Sequence, residues 1–310
     1  MEVFDVLEVR DKAGNLRKIE IREPRNWEEI EAFEGVQIEA WGMDPIEVIP
    51  GHMVRGIHDA GGVVLGAFDK ESGKVIGCVV SLLGEKEGKK FILSHITGVI
   101  RDFQGLGIGY RLKLAQRKAA LKKGIDLVEW TFDPLQGLNS YFNLSKLGVI
   151  CNTFLWNYYG TIRDEINKGM RSDRYKVQWH LTSKRVLRRI EKGLPKITLE
   201  DLLEKGAEFA YNTEGEEPLR KPIPSDELSD SDIVLLEIPW SIGRTREKGG
   251  LEFVRAWRDV FASVVQHYFS NGYWAVEFVK SSGERRCFHV LWKADLKDIL
   301  EDKLVGDVWN

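Results

Sequence analysis

Three glycines in six residues, Gln104-Gly105-Leu106-Gly107-Ile108-Gly109, separate a run that reads as a strand from a run that reads as a helix. The run before them, residues 91–100, is apolar and rich in β-branched residues. The run after them, residues 110–123, carries Leu112, Ala115 and Ala119 on one helical stripe and ends at Gly124. A chain of this kind must pass from sheet to helix with its backbone exposed, because no Cβ stands between a ligand and the glycine peptides. The helix start adds unpaired N–H groups and a partial positive charge, which together make an anion site. A tight strand-to-helix turn with no ligand is the plainer reading. A Walker loop is excluded, because Tyr110-Arg111 stands where Gly-Lys-Ser/Thr is required. A Rossmann loop is excluded by the spacing of Gly105, Gly107 and Gly109 and by the hairpins that precede it.

The surrounding pattern predicts alternating elements. Residues 19–22 read as a strand and residues 27–40 as a helix with Trp27, Ile30, Phe33 and Ile38 on one face. Residues 61–68 and 75–83 form a hairpin around Ser72-Gly73, and residues 126–132 are a strand closed by Asp133-Pro134. A short helix at 139–147 stops at Gly148. Strands at 149–159 and 174–181 pair across a helical turn at 161–170. Residues 213–231 are acidic, carry prolines and read as a linker. A strand at 233–238, an amphipathic helix at 251–269 and a hairpin of 273–279 with 286–292 follow. The expected organisation is a domain at 1–185, a connector at 186–232 and a small α/β domain at 233–310.

Composition excludes several partners. A formal net charge of -3 and a pI near 6.2 give no basic field for nucleic acid or anionic membrane. The basic pairs Lys184-Arg185 and Arg188-Arg189 read as a solvated helix face. Cys78, Cys151 and Cys287 are too scattered for a disulfide framework or a zinc site, and no cluster suggests another metal. No leader-like or membrane-length apolar run is visible, so a cytoplasmic protein is expected.

The loop resembles the Gln/Arg-x-x-Gly-x-Gly/Ala motif of GNAT acyltransferases, matched by Gln104, Gly107 and Gly109 and led in by Val99-Ile100-Arg101-Asp102-Phe103. The element order from Ile19 to Leu181 is also that family's. Ser94-His95, Leu112-Lys113-Leu114-Ala115-Gln116-Arg117, Trp130-Thr131-Phe132-Asp133-Pro134-Leu135, Asn139 and Asn157-Tyr158-Tyr159-Gly160 resemble a prokaryotic subfamily of predicted GNAT acetyltransferases. The likeness extends to Leu236-Glu237-Ile238-Pro239 and Gly272-Tyr273 in the C-terminal part. It implies a mixed, mostly antiparallel sheet with flanking helices, and acetyl-CoA or another acyl-CoA as cosubstrate without a metal.

By the same resemblance, the peptides of Gln104, Gly105, Leu106, Gly107, Ile108, Gly109 and Tyr110 would hold the CoA pyrophosphate, with Val99 and Ile100 along the pantetheine and Asn139 and Phe142 beside it. His95 is the expected base, four residues before Val99 and so on its face. The acid is open. The position four before Gly148, where many relatives carry tyrosine, is Leu144; Tyr158 is the preferred substitute, with Tyr141 and Tyr159 near it. Trp41, Trp130 and Asp133 are candidates to line the acceptor pocket, and Arg171 and Arg174 to grip an acceptor carboxylate. Core packing and surface ion pairing are the plainer readings of these side chains. The expected activity is acyl transfer to a primary amine of a small molecule such as an amino acid. A CoA-sensing or protein-binding module and a protein lysine acetyltransferase are the alternatives, and a homodimer is one use for the C-terminal part.

Overall fold

The computed structural model describes residues 2–160, 169–225, 227–306 and 309. Most of the helical turn expected at 161–170 lies outside the described residues. The chain divides into two compact units, the first over Met1–Trp130 and the second over Thr131–Ile162 and Gly169–Asn310. Each unit is mixed α/β, with mostly antiparallel strands and flanking helices.

The first unit orders its strands β1 (Val3–Arg10), β2 (Leu16–Arg22), β3 (Val63–Asp69), β4 (Val75–Lys86), β5 (Lys89–Val99) and β6 (Leu127–Phe132, whose end enters the second unit). Pairing is antiparallel up to β5; β5 and β6 run parallel. Helix α1 (Trp27–Trp41) starts where Asn26 accepts from the Glu29 N–H at 3.0 Å and stops at Gly42, whose φ is 64°. Its Ile30, Phe33 and Val36 pack with Val54 and Ile57 of α2 (Gly51–Asp59) on Val64, Cys78 and Val80 of the sheet. The opposite face takes α3 (Ile108–Lys122): a Cβ on Gly77, beside Cys78, would lie 3.1 Å from Leu112 Cδ1. Strand β1 and helix α2 were not expected. The alternation of Val3–Arg10, followed by an Asp11 turn that accepts from the Ala13 and Asn15 N–H groups, was the missed signal.

The second unit begins with α4 (Gly137–Ser140), continued by a π-helical turn over Tyr141–Leu147. Then come β7 (Ile150–Leu155), β8 (Arg174–His180), α5 (Lys184–Lys192), α6 (Leu199–Glu204) and β9 (Glu208–Phe209). Strands β10 (Asn212–Glu214) and β11 (Lys221–Ile223) make a small separate sheet. Strand β12 (Ile233–Ile238), α7 (Ile242–Ser270), β13 (Tyr273–Ser281), β14 (Arg286–Lys293) and α8 (Leu296–Leu300) complete it. The strand order is β8-β7-β13-β14-β12-β9. Gly250, at φ 74° and ψ -173°, breaks α7, so its amphipathic part starts at 251 as the periodicity predicts.

The two compact units divide at residue 130, and Cys151 of β7 pairs with Ala275 of β13 within the second. One expectation is corrected. The basic run on α5 is not a solvated face throughout: Arg185 and Arg189 are each 2% exposed. Arg185 reaches Asp302 at 2.5 Å, and Arg189 reaches Asp302 at 2.9 Å and Glu277 at 2.7 Å. Their remaining N–H groups donate to the carbonyls of Gly148, Ser145 and Val276. Two guanidinium groups against two carboxylates balance in charge, and the carbonyls satisfy the spare donors. Breaking one member leaves an uncompensated buried charge, so Asp302→Ala is expected to lower unfolding stability by roughly 3–5 kcal/mol. Denaturant unfolding of the full chain checks this; a loss under about 1 kcal/mol would mean the cluster is solvated.

Candidate functional site

Strand β5 and strand β6 share only two register positions, Ile92 opposite Val128 and Leu93 opposite Glu129. The next residue on β5 is Ser94, and the one after it, His95, is the extra residue of a β-bulge against β4. Ser81 pairs with Ser94 and Val80 with Ile96, so His95 has no opposite number. A bulge bends its strand and increases its twist, and here it falls where β5 parts from its neighbour.

The bulge changes which residues share a face. Ser94 Oγ lies 3.1 Å from Lys113 Nζ on α3 and 3.5 Å from Thr97 Oγ1, so residues three apart look the same way. Val99 also faces α3, with Cγ2 3.9 Å from where a Cβ on Gly109 would stand. His95, next to Ser94, is the inserted residue, across which the two-residue alternation does not carry. The four-residue spacing that would put His95 on the face of Val99 is interrupted by this inserted residue. His95 is exposed, and partial burial among its neighbours lowers its pKa below 6.5.

Beyond the bulge, the Ile100 N–H donates to Ile76 O at 2.9 Å, toward β4. Strand alternation turns the N–H and C=O of Val99 to the other edge. There Gln104 Nε2 donates to Val99 O at 2.9 Å. The glutamine of the motif thus ties the loop to the strand end, leaving the Val99 N–H directed at the open edge. The 3-10 turn at Arg101–Phe103 is held from the side by Lys12 Nζ, which donates to Arg101 O at 2.8 Å.

Gly105 and Gly107 adopt φ of 84° and 81°, a region that charges other residues roughly 1–2 kcal/mol. A Cβ on either would meet nothing within 4 Å, so the space beside both glycines is open. Gly107 caps α3 without a side-chain hydrogen bond. The N–H groups of Ile108, Gly109 and Tyr110 belong to the first helical turn and have no intrahelical acceptor. Leu106 and Tyr110 are half-buried and Ile108 is buried under the loop. Trp41, at the end of α1, stacks over Gly98: a Cβ there would come 2.3 Å from its ring. Trp130 is 8% exposed and lies under Lys113, whose Nζ is 3.7 Å from its ring centroid. It is core, not pocket wall.

In the second unit several expected ligand-binding side chains already have partners. Asp133, 6% exposed, takes Arg258 at 2.6 Å and the Leu135 N–H at 3.0 Å, so it is a buried ion pair and not a pocket group. Arg171 is bound by both oxygens of Asp173, at 2.7 and 2.8 Å, and by Asp259 at 2.7 Å, and it stacks 3.3 Å from the Trp156 ring centroid. Arg174 is 7% exposed and donates to Asp173 O at 2.9 Å. An acceptor carboxylate would have to displace these contacts before the two arginines could grip it.

The same aspartate pins the turn of the Asn157-Tyr158-Tyr159-Gly160 motif. Asn157, at φ 44°, donates its N–H to Asp173 Oδ1 at 3.0 Å, and Tyr158 donates to Ser172 O at 3.1 Å. Tyr158 is held 54% exposed with its ring against Tyr159, centroids 4.7 Å apart. Tyr159 is fixed through Thr131 Oγ1 at 2.9 Å. Asn139 is exposed inside α4, whose N-cap is Gln136, so Asn139 is not a cap. Phe142 is half-buried. The count that selects Leu144 assumes an α-helix. Gly148 donates to Asn143 O, five residues back, and Leu144 is fully buried. The residue one turn above Gly148 is therefore Asn143. Tyr141 lies under Lys280, whose Nζ is 4.6 Å from its ring centroid.

No protein-family model matches the sequence, and no curated protein does. Solved structures do match. The chain is similar to Naa50 of Arabidopsis thaliana in complex with a bisubstrate analogue, at 18% identity and TM-score 0.40 over 52% of this chain and 97% of that one. It is similar to Ard1 of Thermoplasma volcanium, at 18% identity and TM-score 0.39 over 52% and 95%. A GNAT family N-acetyltransferase of Escherichia coli, YhbS, in complex with CoA, aligns at 18% identity and TM-score 0.31 over 41% and 64%.

Asp133→Asn and Arg171→Glu separate structural from ligand-binding roles for these side chains. Asp133→Asn is expected to cost roughly 3–5 kcal/mol of stability by stranding Arg258. Arg171→Glu is expected to lower the melting temperature by repelling Asp173. Thermal unfolding checks both; unchanged melting would return the two residues to the ligand site.

Proposed function

We propose that this chain is an acyl-CoA-dependent N-acyltransferase of the GNAT type, which moves an acyl group, acetyl foremost, to a primary amine of a small molecule. The observation that carries the reading is the parting of β5 from β6 at a bulge that holds His95, one short strand away from an open glycine loop on a helix N-terminus. An extended thioester arm fits an unpaired strand edge, where it gains backbone hydrogen bonds as an added strand would. The pyrophosphate fits the loop, whose N–H groups and helix dipole favour negative charge.

The chemistry follows from these positions. The amine nitrogen attacks the thioester carbonyl carbon; the C–N bond forms and the C–S bond breaks. The Val99 N–H, directed at the open edge, donates to the carbonyl oxygen as it gains charge. Alkylamines have pKa near 10, so a base must remove a proton. His95 is exposed and its burial-lowered pKa keeps the imidazole neutral at pH 7. The departing thiolate takes up a proton.

Calorimetric titration with acetyl-CoA, with NADH and ATP as controls, tests the cofactor; thiol release against a panel of amines and peptides then tests the acceptor. Selective micromolar binding that is lost in Gly107→Leu supports the reading. Silence toward acetyl-CoA, succinyl-CoA and free CoA would leave a binding module on this scaffold. For His95→Gln, kcat is expected to fall by about 10²–10⁴-fold with CoA affinity unchanged. In the wild type the acid limb of kcat/KM is expected below pH 6.5, since a lowered pKa keeps the base neutral to lower pH, and the variant should lack that limb. Full turnover of the variant across pH 6–9 would remove His95 from the mechanism.

A further inference from the structure

On the α3 face of the first unit, beneath the point where β5 leaves β6, a buried polar cluster interrupts the apolar packing. Lys113 is 2% exposed, with Nζ 3.1 Å from Ser94 Oγ and 3.7 Å from the Trp130 ring centroid. Ser94 is 7% exposed and is the first residue past the last β5 and β6 pair. One turn along α3, the fully buried Gln116 donates to Ser81 Oγ at 2.6 Å, and its Oε1 is buried without a partner among the described residues. Burying a lysine is costly, and packing alone would be served better by methionine or leucine. A lysine beside a hydroxyl and an indole face keeps proton donors next to the residue where β5 leaves β6.

We infer that Ser94, resupplied by Lys113, protonates the departing CoA thiolate. The inference rests on the acyltransferase reading above. When the C–S bond breaks, its electron pair stays on sulfur. The Ser94 O–H proton passes to sulfur and a Lys113 N–H proton passes to the Ser94 oxygen, while His95 holds the proton taken from the amine. Solvent then returns a proton to Lys113 and removes one from His95, so the cycle closes on amide and thiol. The bulge gives this arrangement its geometry: Ser94 faces α3, and the exposed His95 is the inserted residue next to it. Acid and base are thus adjacent in sequence, beside the carbonyl carbon that carries both the entering and the leaving group.

Burial lowers the Lys113 pKa well below the ordinary lysine value, which makes it a stronger acid than a solvated lysine. The groups around it are Ser94 and Thr97 from β5, Trp130 from β6, Ser81 of β4 through Gln116, and Arg117 one turn on along α3. A group that must be protonated gives a basic limb, and a lowered pKa brings that limb below the usual lysine range.

The test is steady-state kinetics of the full chain as wild type, Ser94→Ala, Ser94→Thr, Lys113→Met and Tyr158→Phe, with acetyl-CoA affinity measured in parallel. For Ser94→Ala, kcat is expected to fall on the order of 10²-fold with acetyl-CoA Kd within two-fold. Ser94→Thr, which restores the hydroxyl, should recover most of the rate. Lys113→Met should lose the basic limb of kcat while keeping the acid limb of His95, and Tyr158→Phe should keep both. Should Lys113→Met fail to fold, the Ser94 pair decides alone. An active wild type with Ser94→Ala at full rate, or with the basic limb lost in Tyr158→Phe, overturns the assignment and leaves the acyltransferase reading standing. A wild type that binds acetyl-CoA and transfers to no amine overturns both.

Discussion

The first unit depends on how the sheet deals with two strands that stop pairing. After Leu93 and Glu129, the facing edges of β5 and β6 each have backbone groups without a strand partner. A buried donor or acceptor left in that state costs about 1–3 kcal/mol. The chain meets part of this cost locally, by sending the Gln104 amide back to Val99 O. The bulge at His95 turns the strand away so that the remaining edge stays accessible. The glycine loop then has to leave the sheet within a few residues and enter α3, which is possible because Gly105 and Gly107 take positive φ. Parted strands, bulge, loop and helix start are one constraint expressed four times.

The second unit is held to an unusual degree by charge. Arg185 and Arg189 with Glu277 and Asp302, Arg258 with Asp133, and Arg171 with Asp259 tie together elements distant in sequence. Such pairs contribute modestly compared with an apolar replacement, but each fails badly if one partner is lost. They favour one arrangement of the unit over near-alternatives, since a shifted helix or strand would strand a charge. The same pairing removes Asp133, Arg171 and Arg174 from the pool of residues available to a ligand.

Period and punctuation made much of this fold legible. The β3 and β4 hairpin, the loop, α3 and the amphipathic part of α7 follow from local patterns, because each element's own side chains determine it. Three features escaped for physical reasons. The bulge is a property of the pairing between β4 and β5, and one strand's sequence does not reveal an extra residue. The π-helical turn depends on a backbone choice at Asn143 that leaves the side-chain pattern nearly unchanged. The division at residue 130 reflects β7 pairing with β13, more than a hundred residues away. The side chains of the candidate site were legible in type and less so in role. An aspartate or arginine beside a motif looks free in sequence until its distant partner is known.

That asymmetry gives a physical criterion for reading the site. A charged side chain whose hydrogen-bonding capacity is filled by internal partners can serve a ligand only by giving those partners up, at a cost of several kcal/mol when buried. Asp133 and Arg171 fail on this ground. His95, the Val99 N–H and the loop peptides pass it, because serving a ligand would not require them to break the fold. Lys113 is a third case: it is buried, yet its partners are a hydroxyl that can relay a proton and an indole face that stabilises its charged form. A buried group held by contacts that preserve its proton is costly to the fold and useful to chemistry. Its place beneath the parted strands is where that cost has a return.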